Sequence, residues 1–379
     1  MAGPLVGITI VEFAGIGPGP FCAMMLADHG ATVIRIDRPG AMLDPRDALS
    51  RNRKSIVLDI KTEAGCAVAR DICRSADGLI EGYRPGVMER LGLGPDSLLE
   101  DNSKLIYGRM TGWGQLGPYA QAAGHDINYI ALSGVLHGIG RPGERPVPPA
   151  NYVGDFGGGA MMLAFGMVSA LLAVRNGATG QVIDCAMTDG SALLAGMSWY
   201  MFAAGMNRDE AGVNLLDGGA HFYDTYECAD GKWISIGSIE PQVYALLRHH
   251  AGVADDPAFD VQHDREAWAP LKAKLTAVFK ARTRDEWDAL MAGTDVCFAP
   301  VLSMAEAPLH SHNVARGTFL DVGGAIQPAP APRYSATATA TPAAAPKAGS
   351  DAQAILTGIG YDQARIDALL AAGMLGPSL

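Results

Sequence analysis

The chain opens with a β-branched apolar run, ITIVEFA, a turn, GIGPGP, an apolar stretch of helical spacing, FCAMMLADHG, and a second β-branched run, ATVIRID. That order predicts strand, turn, helix and parallel strand, a βαβ unit. SIVLDIK (55–61) and LIYGRM (105–110) read as further strands, with a helix over Glu63 to Ser75 between them. Two long uncharged runs follow, Phe156 to Val174 and Gly190 to Met206, separated by the strand QVIDCAM. Beyond about residue 220 the pattern changes to paired strands around Asp230-Gly231, a hairpin signal, and then to charged helical sequence over 241–292. Ala, Pro and Thr without a period fill Gly323 to Ser350, which reads as an extended connection. Helical spacing returns in DAQAILTGIGYDQARIDALLAAGML, a segment expected to pack back on the first domain. The fold expected is α/β: a Rossmann-like large domain over 1–224, a smaller α+β domain over 225–315, a linker over 316–350 and the helical segment 351–379.

The first uncharged run has 19 residues, nominally enough to cross a bilayer. Gly157, Gly158, Gly159 and Gly166 weaken that reading, and Asp155 before it and Arg175 after it suit the two ends of a helix dipole. A buried core or interface helix is the expectation, and two such helices fit a wide dimer interface. Composition agrees: 49% of the 379 residues are hydrophobic and only 18% charged, against about 25% in an ordinary soluble protein. Disorder is excluded, and a large buried fraction is implied. With 29 Lys+Arg against 40 Asp+Glu the net charge is −11, which argues against a nucleic-acid or membrane-surface partner, since both are polyanions. The six cysteines form no CxxC pair and have no His at ligand spacing, so neither a zinc site nor a disulfide framework is expected. The start lacks signal-peptide features and the end, GPSL, is not a peroxisomal address, so the expected compartment is the cytoplasm.

Gly15, Gly17 and Gly19 after the first strand, with Asp37 about 20 residues on, resemble a dinucleotide fingerprint. Pro18 and Pro20 spoil it, because each removes a backbone N–H from the turn that would cradle a pyrophosphate. Three acid-base candidates lie in turn-rich contexts: His125 in AGHDINY, Asp155 in NYVGDFGGG and Glu240 in GSIEPQ. Each has a plainer reading. His125 can be a satisfied core histidine, Asp155 a helix cap, and Glu240, before Pro241, a first-turn acid favoured by the helix dipole. Cations crowd the early strand ends: Arg35, Arg38, Arg51, Arg53, Lys54, Lys61, Arg84 and Arg90. They suit a phosphorylated adenosine, or else form a solvated positive face.

VEFAGIGPGPFCAMMLADHGATVIRIDRPG, EGYRPGVMERLGLGP, LIYGRMTGWGQLGPYAQAAGHDINYIALSGVLHGIGR, GDFGGG, LDGGAHFYDTYECADGKWISIGSIEPQ and ILTGIGYDQARIDALLAAGML closely resemble the alpha-methylacyl-CoA racemases of the family III CoA-transferase superfamily. The resemblance implies an isomerase that inverts 2-methylacyl-CoA thioesters by proton transfer through an enolate. CoA is then part of the substrate and no separate cofactor is needed. A transferase using Asp155 as nucleophile is the alternative. His125 and Asp155 match the two catalytic bases, and Glu240 the carboxylate that supports the histidine. Arg38 matches a CoA-binding arginine, with Arg51 and Arg90 as further phosphate partners. Leu58, Asp59, Ile60 and Lys61 match the strip at the adenine; Gly124, His125, Asp126, Ile127, Asn128 and Tyr129 match the segment around the thioester. The resemblance also implies an interlocked homodimer. This chain departs at His221, where the relatives have proline, and at Tyr152, where they have leucine, and both changes are expected to reshape the acyl pocket.

Overall fold

The computed structural model describes residues 2–373 and 375. They form two compact units, one drawn from 2–133, 150–194 and 314–375, the other from 134–149 and 195–313.

The first unit is built on six parallel strands: β1 (Thr9–Phe13), β2 (Thr32–Asp37), β3 (Arg53–Val57), β4 (Gly78–Glu81), β5 (Ile106–Thr111) and β6 (Gln181–Ala186), in the order β3-β2-β1-β4-β5-β6. This is the doubly wound Rossmann order. Helices must cover both faces, which is why β1 and β2 are buried almost throughout, their charged Glu12, Arg35 and Asp37 included. The chain supplies α1 (Pro18–Asp28), α2 (Glu63–Arg74), α3 (Val87–Arg90), α4 (Pro95–Asp101), α5 (Asp126–Leu132), α6 (Met162–Arg175) and α7 (Met187–Leu194). Leu26 of α1 and Leu163 and Met167 of α6 pack with Ile10 and Val33 on one face. Val68 and Ile72 of α2 and Leu98 of α4 pack with Val11, Ile34 and Leu79 on the other. The α2 boundaries follow local chemistry: the Thr62 hydroxyl accepts the Gly65 N–H at 3.0 Å, and Glu63 and Arg74 stand at the ends the dipole favours.

A π-helical run, Tyr152–Met161, leads directly into α6. Together Tyr152–Arg175 is long and apolar enough to cross a membrane by length and composition, but a share of it is committed inward: Leu163, Ala164, Met167, Ala170 and Leu171 are buried. The glycines in it serve packing. A Cβ on Gly158 would lie 2.5 Å from the Ser191 backbone nitrogen, and one on Gly190 would lie 1.8 Å from the Gly158 oxygen, so the π-helix and α7 touch backbone to backbone.

The second unit holds α8 (Gly196–Ala203), the antiparallel strands β7 (Tyr223–Glu227), β8 (Trp233–Gly237) and β9 (Phe298–Pro300), and the helices α9 (Pro241–His250), α10 (Arg265–Phe279) and α11 (Arg284–Met291). Its core gathers Phe222, Tyr226, Ile234, Trp268, Phe279 and Trp287. His221 belongs to this core. It is fully buried, its Nε2 meets the Tyr244 hydroxyl at 2.7 Å, and burial pushes its pKa down to about 4.

After α12 (Ser311–Arg316) the chain makes a hairpin, β10 (Phe319–Val322) and β11 (Ala325–Pro328), then ends its described part with α13 (Ala352–Gly358) and α14 (Gln363–Ala371). Two expectations change here. The first unit leaves the chain at Leu194 instead of at 224, because 195–224 pack with the second unit, as do 134–149. The expected linker over 316–350 contains a hairpin, whose turn is Gly323-Gly324, both at positive φ as a two-residue turn demands. The remainder is extended but pinned: the Ala343 oxygen accepts from the Asn52 N–H, the Asp351 N–H donates to the Ser55 oxygen, and the Ser55 N–H donates to the Asp351 carboxylate. Ile355, Leu356 and Ile366 join the same cluster as Val68 and Ile72. Residues 376–379 of the final segment, including GPSL, lie outside the described residues.

Arg51 anchors the return. Its guanidinium meets Asp28 at 2.5 and 3.1 Å and donates to the Pro328 oxygen and to Gln327, with both members of the ion pair almost wholly buried. Removing one partner of a buried pair strands the other charge. Arg51→Ala is therefore expected to lower the stability of the first unit by about 3–5 kcal/mol. Urea denaturation measures this, and a loss below about 1 kcal/mol would mean that the pair is open to solvent.

Candidate active site at the carboxyl ends of the first-unit strands

In an open parallel sheet the chain leaves each strand's carboxyl end through loops that build the ligand crevice. Nearly all the candidate residues lie in such loops. Arg38 follows β2, Asp59 and Lys61 follow β3, Arg84 and Arg90 follow β4, and Gly124 to Tyr129 follow β5. The cations divide into two sets. Arg35 and Arg53 are buried against the Glu12 carboxylate at 2.9 and 2.8 Å, and Arg51 against Asp28. Carboxylates of the protein itself neutralise this set, so Arg51 is not placed to meet a phosphate. Arg38, Lys61, Arg84 and Arg90 are exposed and make no ion pair among the described residues.

The strip after β3 is held by its own backbone. The Leu58 N–H donates to the Asp37 oxygen at 2.9 Å and its side chain is buried, while Asp59 accepts the Lys61 N–H at 3.0 Å and the Cys66 thiol donates to the Ile60 oxygen at 2.8 Å.

His125 caps α5 with an exposed side chain, and its N–H donates to Asn128 Oδ1 at 3.0 Å. Gly124 before it is pressed between aromatic rings: a Cβ there would lie 2.7 Å from Tyr129 and 3.0 Å from Trp113, and the Tyr129 hydroxyl donates to its oxygen. The backbone N–H groups of Asp126 and Ile127 open the helix without an intrahelical acceptor, as first-turn donors must. Ile127 and Asn128 are exposed, whereas Asp126 and Tyr129 are buried.

Asp155 sits in the first turn of the π-helical run. π-helical segments are rare and concentrate at functional sites. Its backbone N–H donates to Asp126 Oδ2 at 2.7 Å, and Asn151 donates to Asp155 Oδ2 at 3.2 Å. Facing it is the start of α1, where Gly17 has φ 67° and a Cβ would come within 3.2 Å of the same oxygen. Pro18 and Pro20 leave that helix start short of N–H donors toward the carboxylate. Burial raises the Asp155 pKa, and the Asp126 charge adds to it, while the Asn151 hydrogen bond and the His125 charge oppose. The carboxyl is thus poised to hold a proton more firmly than an ordinary aspartate.

His125, Asp126 and Asp155 are brought together within the first unit. Glu240 is not among them: it caps α9 in the second unit, exposed, with its backbone oxygen taken by the Tyr244 N–H. A cavity of about 490 Å³ opens at the end of β8, three residues before Glu240, lined by Arg141, Tyr223, Asp224, Gly237, Cys297 and Phe298. Sequence reasoning overlooked Asn151, although its spacing of four residues from Asp155 was visible, and Gly17, which it weighed only as part of a nucleotide fingerprint.

The chain is 45% identical over 365 residues to the alpha-methylacyl-CoA racemase of Mus musculus, covering 96% of this chain and 95% of that protein. It is 46% identical over 329 residues to the racemase of Homo sapiens, covering 86% of each. Its fold matches the crystal structure of a CAIB/BAIF family protein from Brucella suis with a TM-score of 0.81 at 25% identity, over 95% of this chain and all of that one. Residues 5–352 match the sequence pattern of CoA-transferase family III, and the chain belongs to that family.

Proposed function

We propose that the chain interconverts the two epimers of 2-methylacyl-CoA thioesters. The observation that carries this reading is identity of 45–46% to two alpha-methylacyl-CoA racemases over most of the chain. The residues at the carboxyl ends of the strands suit the chemistry. A proton leaves the carbon next to the thioester on one face, a flat enolate forms, and a proton returns on the other face. His125 and Asp155 are the two bases, each serving one face. The free N–H groups at the start of α5 offer hydrogen bonds to the enolate oxygen. The thioester carbonyl itself delocalises the charge of the enolate, so the two proton transfers call for no separate cofactor. A pair working in both directions carries one transferable proton, as Asp⁻ with HisH⁺ or AspH with neutral His, and burial of Asp155 brings these states closer in energy. A transferase would instead use Asp155 as a nucleophile to form an acyl anhydride. His125 would then have no role, which favours the racemase.

The test is incubation of single epimers of a 2-methylacyl-CoA in heavy water without an acceptor acid. Wild-type protein should epimerise and exchange both. His125→Ala and Asp155→Asn should each abolish epimerisation yet retain alpha-proton exchange from one epimer, opposite epimers in the two variants. Exchange of the same epimer by both would point to one base acting on a substrate that reorients.

Arg38 is the exposed cation we assign to the nucleotide phosphates, since Arg51 is engaged by Asp28. Arg38→Ala should weaken CoA thioesters by about 1.5–3 kcal/mol, the worth of one charge-assisted contact. Thioester analogues without the nucleotide serve as control, and equal weakening of both would remove the assignment.

Two copies of the chain form the working enzyme in this reading, with Glu240 of one supporting His125 of the other. Met161, Phe165, Val168 and Leu172, spaced one helical turn apart, are all exposed, and so are Leu193 and Leu194 of α7. Apolar faces of this extent are usually covered. Co-expression of Glu240→Ala with Asp155→Ala should restore measurable activity in the mixed dimer, and verified heterodimers without recovery would place all three residues in one chain.

A further inference from the structure

Asp126 adjoins His125 in sequence, but the two side chains have opposite environments. His125 is exposed; Asp126 is 6% exposed. One Asp126 oxygen accepts the Asp155 backbone N–H at 2.7 Å, and the other has no hydrogen-bond partner among the described residues. No cation among the described residues pairs with it either. Gly154 makes the approach possible, because a Cβ at that position would lie 2.7 Å from the accepting oxygen. A neutral amide oxygen could accept the same N–H, and a buried carboxylate with one bare oxygen is costly. Backbone positioning alone therefore does not account for an ionisable group at this place.

We propose that Asp126 is a positioning residue for Asp155: its carboxylate clamps the Asp155 backbone to the first turn of α5 and sets a fixed negative charge beside the Asp155 carboxyl. This deepens the racemase reading and rests on it, since it takes His125 and Asp155 as the two bases. The clamp makes the two bases parts of one rigid unit, because Asp126 follows His125 directly and holds Asp155 by a single hydrogen bond. The charge works with burial to favour the protonated form of Asp155. Among groups on the elements packed around the π-helix, His125 opposes this and Tyr129 stands neutral with its pKa raised. The start of α1 presents Gly17, Pro18, Gly19 and Pro20, none ionisable, followed by the buried Cys22, and Asp28 at its far end is paired with Arg51. The other charges are Asp189 on α7, Arg175 at the end of α6, Asp184 on β6, and Arg109 on β5, which is engaged by Glu81 and Glu89.

The test compares full-length Asp126→Asn and Asp126→Ala, with His125→Ala and Asp155→Asn as references, by the pH profile of epimerisation and by alpha-proton exchange from each epimer. Asn keeps an acceptor and removes the charge. The low-pH limb, where the pair takes up a second proton, should move down by about one pH unit. Ala removes the clamp as well: the exchange that Asp155→Asn loses should fall about tenfold or more, and the exchange that it retains should change less than about threefold. If the references behave as two opposite bases but the limb stays in place in Asp126→Asn, or both exchanges fall alike in Asp126→Ala, the proposal is overturned and the two-base reading stands. If the references lose both exchanges, or keep the same one, the two-base reading itself fails and the proposal falls with it. Should Asp126→Ala not fold, the limb in the isosteric Asn variant decides.

Discussion

One buried carboxylate organises the strands beneath the site. Glu12, in β1 and wholly inaccessible, receives Arg35 of β2 on one oxygen and Arg53 of β3 on the other. Arg35 turns also to Asp37, whose second oxygen accepts the Ser55 hydroxyl. Arg53 reaches past the sheet to the Pro20 oxygen in the first turn of α1 and to the Leu49 oxygen. Charges buried this deeply are tolerable only when every one has a partner. The network therefore admits one register for three strands and one seat for the start of α1. That seat is where Gly17 faces Asp155, so the geometry around the Asp155 carboxyl depends on an ion cluster buried in the strands beneath it.

The same local physics separates two kinds of charged group in the first unit. Arg51 and Asp28 are buried against each other as an ion pair. Among the described residues Asp155 has no cationic side chain in contact, only an amide donor and a histidine nearby, and burial with the neighbouring Asp126 raises its pKa. A group of the first kind holds a fold together. One of the second kind is held ready to change its protonation, which is what acid-base chemistry needs.

These differences explain what could be read without coordinates. The strands were legible because parallel strands buried on both faces carry continuous β-branched runs, and the order strand-turn-helix-strand leaves few topologies. His125 and Asp155 stood out by residue type and turn context, and they share a unit. The role of Arg51 was hidden, since nothing in SRNRKS points to an aspartate 23 positions earlier. The π-helical turn around Asp155 was equally hidden: a glycine-rich apolar run has the same composition at either helical pitch. The Gly323-Gly324 hairpin was obscured by the Ala and Pro around it. Unit boundaries failed for a further reason, that the chain leaves the first unit at residues 134 and 195 with no shift in composition at either point.

The return of the chain after residue 314 bears on how the protein is made. Ser55, in the edge strand of the sheet, finds its partners at Gly349 and Asp351, almost three hundred residues later. Ile355, Leu356, Tyr361, Ile366 and Leu375 close over a cluster whose other buried members come from the first 110 residues. Synthesis proceeds from the amino end at several residues per second, and domains ordinarily fold as they emerge. Here the first unit stays unfinished on the ribosome, with an open strand edge and an uncovered apolar face, while the whole of the second unit is being translated. Protection of that nascent face, by a chaperone or by a second nascent chain, is a demand that this threading places on the cell.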